Sequence, residues 1–194
     1  MDRVACLFCR KDFPHDPFSP FCPDCAEPLV LAPRRPINAR AFHHDGAHPL
    51  EKWRDFLPLD SFAPGMSLGE GNTPLVHLKT IGRRLGLPSV FAKNEAQNPT
   101  GSFKDRGTAV AIQKAVSLGF RRIGTVSTGN MAASTAAYGA RAGLATVVLL
   151  KEGTSVASLR ATGIFGPSSS RSGATMAGSF MTASGSAGTW GSTS

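Results

Sequence analysis

The sequence predicts an α/β protein with a three-layer, mostly parallel sheet, incomplete toward its C-terminal side and preceded by a small cysteine-clamped knob. Three observations predict it. From Leu68 onward, strand-like and helix-like segments alternate, which is the pattern that builds parallel sheets. All four cysteines, Cys6, Cys9, Cys22 and Cys25, fall in the first 25 residues as two C-x2-C pairs. Residues 168–194 follow neither pattern.

The knob comes first. Twelve residues, "RKDFPHDPFSPF", separate the two cysteine pairs, and they are too polar and proline-rich to fold without a clamp. Two C-x2-C knuckles can close four thiolates tetrahedrally around zinc, and the metal then supplies the folding energy of the module. Residues 1–27 are therefore expected to form a four-cysteine zinc-ribbon-like module, with His15 a loop residue and no fifth ligand. Residues 28–67 read as a linker and docking segment. Its prolines and its "HHDGAH" stretch suit a solvated loop, so His43, His44 and His48 are not assigned as metal ligands. Trp53, Phe56, Leu57 and Leu59 are expected to pin this segment down.

Residues 68–167 carry the alternating pattern. "LVHLKTIGRRLGLP" predicts a helix ended by Gly86 and Pro88, and "SVFAKNE" a short strand. Asp105 to Leu118 predicts a helix with Val110, Ile112, Ala115, Val116 and Leu118 as its apolar face, closed by Gly119. "RIGTVS" predicts a buried strand, Met131 to Ala142 an alanine-rich helix, "ATVVLLK" another strand and "SVASLRATG" a short helix. In residues 168–194, Ser, Gly, Ala and Thr make up 22 of 27 positions and Arg171 is the only charge, so too little apolar surface is available to offset chain entropy. Disorder is expected there. The abrupt change after Pro167 reads as truncation or a frameshift in a longer parent.

Composition narrows the function. Hydrophobic residues make up 41% of the 194, enough for a core, and no apolar run reaches bilayer length. "MDRVACLFC" lacks the basic-then-apolar order of a signal peptide, so a cytoplasmic protein with no membrane partner is expected. The net charge of +8 and pI near 9.9 could suit nucleic acid. The basic residues are scattered as pairs, Arg34-Arg35, Arg83-Arg84 and Arg121-Arg122, with no interleaved aromatics. A zinc-ribbon module that reads nucleic acid is the alternative class, but it gives no role to the chemistry that follows.

That chemistry centres on "NPTGSFKDRG", which puts Lys104 between a turn and a helix start. A helix start favours negative charge, so a lysine there suggests a task other than helix stability. The positive helix end disfavours the ammonium, and the free amine is a carbonyl nucleophile, as a Schiff base with pyridoxal phosphate requires. "STGN", Ser127 to Asn130, occupies the equivalent turn after the next strand. Consecutive strand-to-helix turns lie side by side at the ligand-binding edge of a parallel sheet, and hydroxyls, Asn130 and helix-start amides make an anion-friendly nest.

"EGNTPLVHL", "NEAQNPTGSFKDRG", "VSTGNMAAS" and "LLKEGTS", occurring in this order from about Trp53 to Pro167, resemble the fold type II pyridoxal-phosphate enzymes, and among them the threonine synthases. The paired cysteine knuckles resemble those of zinc-ribbon-bearing threonine synthases. The resemblance implies a tryptophan synthase beta-like fold, with pyridoxal 5'-phosphate and structural Zn2+ as cofactors. It implies that Lys104 is the lysine that bonds the cofactor and shuttles protons at the substrate. Asn130 would bond the cofactor ring hydroxyl, while Ser127, Thr128, Gly129 and the amide of Met131 would hold the substrate α-carboxylate. Ser102, Phe103 and Asp105 would shape the lysine turn, and Arg106 or Arg160 could attract an anionic substrate. The implied reaction is conversion of O-phosphohomoserine and water to threonine and phosphate, with a possible homodimer for the full-length enzyme. Threonine dehydratase, cysteine synthase and diaminoacid ammonia-lyase are alternatives within the fold. The family's glycine-rich phosphate loop and its residue at the pyridine nitrogen are not identifiable in this sequence, so the 194-residue chain is expected to be an inactive fragment.

Overall fold

The structure is a computed structural model that describes residues 3–16, 18–31, 48–53, 56–151, 160, 162–166 and 168–172. The chain divides into two units, residues 1–62 and 63–194.

The first unit begins with three short antiparallel strands, β1 (Arg3–Cys6), β2 (Asp12–Pro14) and β3 (Leu29–Leu31), in the order β2-β1-β3. Val4 and Cys6 alternate inward along β1 and are its buried residues. Further along, α1 (Pro49–Lys52) starts at His48, whose Nδ1 accepts the Leu50 amide at 3.2 Å and whose ring stacks on Phe62 at 4.4 Å. His48 is thus a helix cap. His43 and His44 lie outside the described residues, as do residues 173–194 and most of the expected "SVASLRATG" helix.

The second unit opens with a 3-10 turn at Pro64–Met66 and then β4 (Leu75–His77), α2 (Lys79–Leu85) and β5 (Phe91–Lys93). The helix expected from "LVHLKTIGRRLGLP" is shorter than predicted. Its first residues instead form β4, antiparallel to β5, because backbone pairing of Leu75 with Lys93 and His77 with Phe91 competes with the helix there. Gly86 ends α2 as expected, at φ 67°, a left-handed value that glycine adopts without penalty.

A 3-10 turn, Glu95–Gln97, leads into α3 (Lys104–Ser117). Then follow β6 (Arg122–Val126), α4 (Asn130–Arg141), β7 (Ala145–Lys151) and β8 (Ser168–Ser172). Strands β6, β7 and β8 form a parallel sheet in sequence order, so the parallel expectation holds for this sheet and not for β4 and β5. Residues 168–172, expected to begin a disordered stretch, form β8 instead. Parallel pairing with β7 is made through the backbone, from Val147 opposite Ser168 to Lys151 opposite Ser172, and needs no apolar side chains.

Helix α4 packs on β6 and β7, and α3 packs on α4. Small residues on α4 make the close approach possible. A Cβ at Gly139 would sit 2.1 Å from Thr146 Oγ1 and 3.0 Å from Ile123 Cδ1. Ala132, Val148 and Leu150 form a fully packed cluster under this helix. The buried face of α3 differs from the predicted one: it is Asp105, Thr108, Ala109, Ile112 and Gln113. Four of these five are not large hydrophobics, and three are held by polar contacts: Asp105 by Thr100 and Ser134, Thr108 by Met131 Sδ, and Gln113 Oε1 by the Ala63 amide.

Candidate active site and cysteine cluster

Lys104 is the first residue of α3, partly buried, with its amide donating to Ser102 Oγ at 3.3 Å. The turn before it is closed by the Gly101 amide on the Asn98 carbonyl at 2.8 Å, with Gly101 at φ 80°. The Lys104 amine lies 4.7 Å from the centre of the exposed Phe103 ring, close enough for a cation–π contact.

Asp105, fully buried, organises this turn. It accepts the Thr100 amide at 2.7 Å, the Thr100 hydroxyl at 2.5 Å and, from α4, the Ser134 hydroxyl at 2.7 Å. The expectation that Asp105 shapes the lysine turn agrees with these bonds.

The other predicted ligand-binding residues lie at the start of α4. The Ser127 amide donates to the Leu149 carbonyl of β7 at 3.2 Å, and the Gly129 amide donates to Ser127 Oγ at 3.3 Å. Ser127, Thr128 and Met131 are half-buried, Gly129 and Asn130 exposed. Gly129 is the residue that begins the helix, with no side-chain cap on the α4 amides, and a Cβ placed on it would meet nothing within 4 Å. Thr108 Oγ1, one turn after Lys104, reaches Met131 Sδ at 3.7 Å. The N-terminal halves of α3 and α4 are therefore in contact, through Thr108 with Met131 and Asp105 with Ser134. An amine, two hydroxyls, a carboxamide and uncapped helix amides suit the aldehyde and carboxylate end of a cofactor–substrate pair. A loop for the cofactor phosphate is not present among the described residues. A shallow concavity lined by His77, Lys79, Arg83 and Leu87 lies on α2 and contains none of these groups.

Residues to which sequence reasoning gave no role, or a different one, tie the motifs together. Arg106 forks onto Glu95, Nε to Oε2 at 2.7 Å and one terminal nitrogen to Oε1 at 2.8 Å, and that nitrogen also donates to Thr73 Oγ1 at 3.0 Å. The Arg106 guanidinium, helped by Thr73 and Asn98, holds the Glu95 carboxyl down at about 2. Arg106 is thereby committed, which corrects the expectation that it could draw in an anionic substrate. Asn98 donates to Glu95 and accepts the Gly71 amide at 3.0 Å, and Lys93 donates to the Thr73 carbonyl. Glu70, buried, takes Ser67 Oγ at 3.0 Å, the Leu68 amide at 3.1 Å and the Tyr138 hydroxyl at 2.8 Å on one oxygen. Burial, reinforced by Glu70, pushes the Tyr138 hydroxyl well above its ordinary value. One sequence signal pointed to this pair: Tyr138 is the only tyrosine in the chain and sits in an alanine-rich helix.

The structure brings the four cysteines together. Their sulfurs all lie within 4.8 Å of one another, with Cys6 to Cys25 at 3.5 Å and Cys9 to Cys22 at 3.6 Å. A zinc–sulfur bond of about 2.3 Å gives a tetrahedron edge of about 3.8 Å, so the cluster has the size such an ion needs. The two knuckles share one conformation. The residue after each pair, Arg10 or Ala26, is left-handed at φ 63° or 60° and donates its amide to the carbonyl of Cys6 or Cys22. The Cys6 and Cys22 amides donate in turn to Lys11 and Glu27. The Cys9 amide holds the Cys6 thiol down at about 7, whereas the Cys25 thiol, drawn down by the Glu27 amide, is carried up to about 12 by desolvation and its three thiol neighbours. Four thiolates this close repel one another unless a cation sits among them.

Known proteins resemble this chain in sequence and in fold. A family described as "Pyridoxal-phosphate dependent enzyme" matches residues 66–185, beyond the Pro167 at which the motif resemblance ends. The chain is similar to the threonine synthase of Halalkalibacterium halodurans, with 48% identity over 104 residues, 54% of this chain and 29% of that protein. It is similar to the threonine synthase of Methanocaldococcus jannaschii, with 47% identity over 103 residues, 52% of this chain and 25% of that protein. Against the threonine synthase of Mycobacterium tuberculosis H37Rv the identity is 41% over 118 residues, 60% of this chain and 32% of that protein. The matches span a third or less of these relatives. Among solved structures, diaminopropionate ammonia lyase from Escherichia coli, in complex with an aminoacrylate-PLP azomethine reaction intermediate, superposes with a TM-score of 0.57 at 19% identity, covering 63% of this chain and 36% of that one. That likeness is one of fold.

Proposed function

The chain belongs to the pyridoxal-phosphate dependent enzyme family, and on that premise we propose that it carries the lysine-bearing part of a threonine synthase site, acting on O-phosphohomoserine and water to give threonine and phosphate. The observation that carries this reading is the contact between the N-terminal halves of α3 and α4, which supports a shared site for the Lys104 turn and the "STGN" turn. The threonine synthase relatives, at 41–48% identity, favour this substrate over those of other enzymes with the fold.

Pyridoxal phosphate, when bound, supplies the electron sink for carbanion chemistry at an amino acid. Lys104 would hold the cofactor through its amine, and the same amine would take and return protons at the substrate carbons. The Asn130 carboxamide would hydrogen-bond the hydroxyl of the cofactor ring. Ser127, Thr128, Gly129 and the amide of Met131 hold the substrate α-carboxylate, an anion placed where the helix end favours one. Cys6, Cys9, Cys22 and Cys25 would hold a structural zinc ion that stabilises the N-terminal unit and takes no part in the reaction.

The test is to incubate the 194-residue chain with pyridoxal phosphate, look for a visible absorption band, reduce with borohydride and map the adduct. An adduct on Lys104 that Lys104→Ala removes is expected. A folded chain that forms no adduct, and instead binds nucleic acid with steep salt dependence, would overturn the reading in favour of the zinc-ribbon alternative.

A further inference from the structure

We propose that Asp105 and Ser134 form a latch that fixes the lysine turn to α4, making both of them positioning residues for the Lys104 amine. The inference rests on the reading of Lys104 as the cofactor lysine and adds what aims it.

Lys104 starts α3, yet the bonds that fix the turn before it do not come from α3 backbone geometry alone. Thr100, four residues upstream, is held twice by Asp105, through its amide at 2.7 Å and its hydroxyl at 2.5 Å. The hydroxyl bond falls on Oδ1, the same oxygen that accepts Ser134 Oγ at 2.7 Å. The turn, the carboxyl and α4 are thus connected through one oxygen atom. Both side chains of the latch are fully buried, so water cannot substitute readily for a lost partner, and a broken bond leaves a buried polar group unpaired.

Ser134 sits one turn after Asn130, the residue expected to meet the cofactor ring, and Asp105 is adjacent to Lys104. The latch therefore sets the separation of the two turns before any ligand arrives. Without it, the α3–α4 seam still has the Thr108–Met131 contact and its apolar packing. Such contacts hold the helices together but are not directional enough to aim a lysine.

Tyr138 supplies a control. It lies one turn beyond Ser134 on α4, is equally buried, and donates its hydroxyl to Glu70 at 2.8 Å and not to Asp105, whose charge reaches it only through space. Ser134→Ala and Tyr138→Phe each remove one buried hydroxyl from the same helix. Thr100→Val attacks the latch from the turn, at a less buried position, and decides the matter should Ser134→Ala fail to fold.

Two readouts apply to the full chain. Amide hydrogen exchange needs no cofactor: Ser134→Ala and Thr100→Val are expected to raise exchange at residues 100–104 by on the order of tenfold, and Tyr138→Phe to leave those amides unchanged. The second readout is the borohydride-trapped pyridoxal phosphate adduct on Lys104, expected to fall by on the order of tenfold in the two latch variants and not in Tyr138→Phe. Wild-type exchange and wild-type adduct in both latch variants would overturn the latch, and so would an equal loss in Tyr138→Phe. A wild-type chain that forms no adduct would instead overturn the cofactor reading, with hydrogen exchange still deciding whether the latch exists.

Discussion

Replacing Arg106 by methionine keeps most of the side-chain length and removes the charge that Glu95 depends on. Glu95 is held at about 2 against an ordinary 4.5, and at 1.36 kcal/mol per tenfold change that difference sets a ceiling of about 3.4 kcal/mol. The Glu95 and Arg106 side chains remain 26% and 38% exposed, so solvent screening reduces the contribution to about 1 kcal/mol. A depressed carboxyl stabilises the folded chain fully above its unfolded value and loses that contribution as the pH falls from about 4.5 toward 2. Urea unfolding at pH 6 and pH 3 measures it. The Arg106→Met variant is expected to be about 1 kcal/mol less stable than wild type at pH 6, a midpoint shift on the order of 0.5 M urea, and the gap should narrow at pH 3. Comparing the two chains at both pH values cancels the other carboxylates. A gap of the same size at both pH values, or none at pH 6, would refute the assignment of Glu95 and Arg106 as a charge-dependent pair.

Gly139→Ala is expected to destabilise by about 1–2 kcal/mol, since overpacking against Thr146 Oγ1 at 2.1 Å outweighs the helix-propensity gain of about 1 kcal/mol. Adding Thr146→Ala should recover part of the loss in thermal unfolding, and a Gly139→Ala chain as stable as wild type would show that α4 can move off the sheet. Metal analysis of the purified chain should find one zinc per chain, and Cys22→Ser should abolish it and raise hydrogen exchange in β1 and β3; unchanged zinc content in that variant would remove Cys22 from the ligand set. Lys104→Arg keeps the charge and the Phe103 contact but cannot form the cofactor bond, so it should fold as wild type does and give no borohydride-trapped adduct.

The segments that sequence reasoning placed well are those in which backbone and side chains ask for the same thing. β6, α4 and β7 are of this kind: a five-residue strand, a turn with glycine, an alanine-rich helix ended near Gly143 at φ 68°, and a run of valines and leucines. The helix-start place of Lys104 and the clustering of the four cysteines were legible because their residue type was at odds with its surroundings, a cation at a helix start and thiols in a polar loop. β4 was not legible, since its three residues are all exposed and carry no alternation, and it exists because β5 offers it a backbone partner. The α3 face was misread for a different reason. Periodicity assumes that the buried stripe is the apolar one, whereas Asp105, Thr108 and Gln113 are buried with hydrogen-bond partners supplied by segments 5 to 50 residues away in sequence.

That misreading indicates how the site is assembled. Three of the four motifs are joined by buried or half-buried polar bonds: Gly71 to Asn98, Thr73 to Arg106 and Asp105 to Ser134. An apolar seam would hold the same segments together but would tolerate sliding by a fraction of a turn, because burial of apolar area is not directional. Hydrogen bonds of 2.7 to 3.0 Å tolerate far less, and a buried one that breaks leaves an unpaired group. On the proposed reading of Lys104, its amine meets an aldehyde carbon and needs that tolerance, since small misplacements of reacting groups cost large factors in rate. The polar seam between α3 and α4 is thus better suited to aiming than to stability. Substitutions along it should therefore separate the two properties, lowering adduct formation at Lys104 by more than their effect on the unfolding midpoint accounts for.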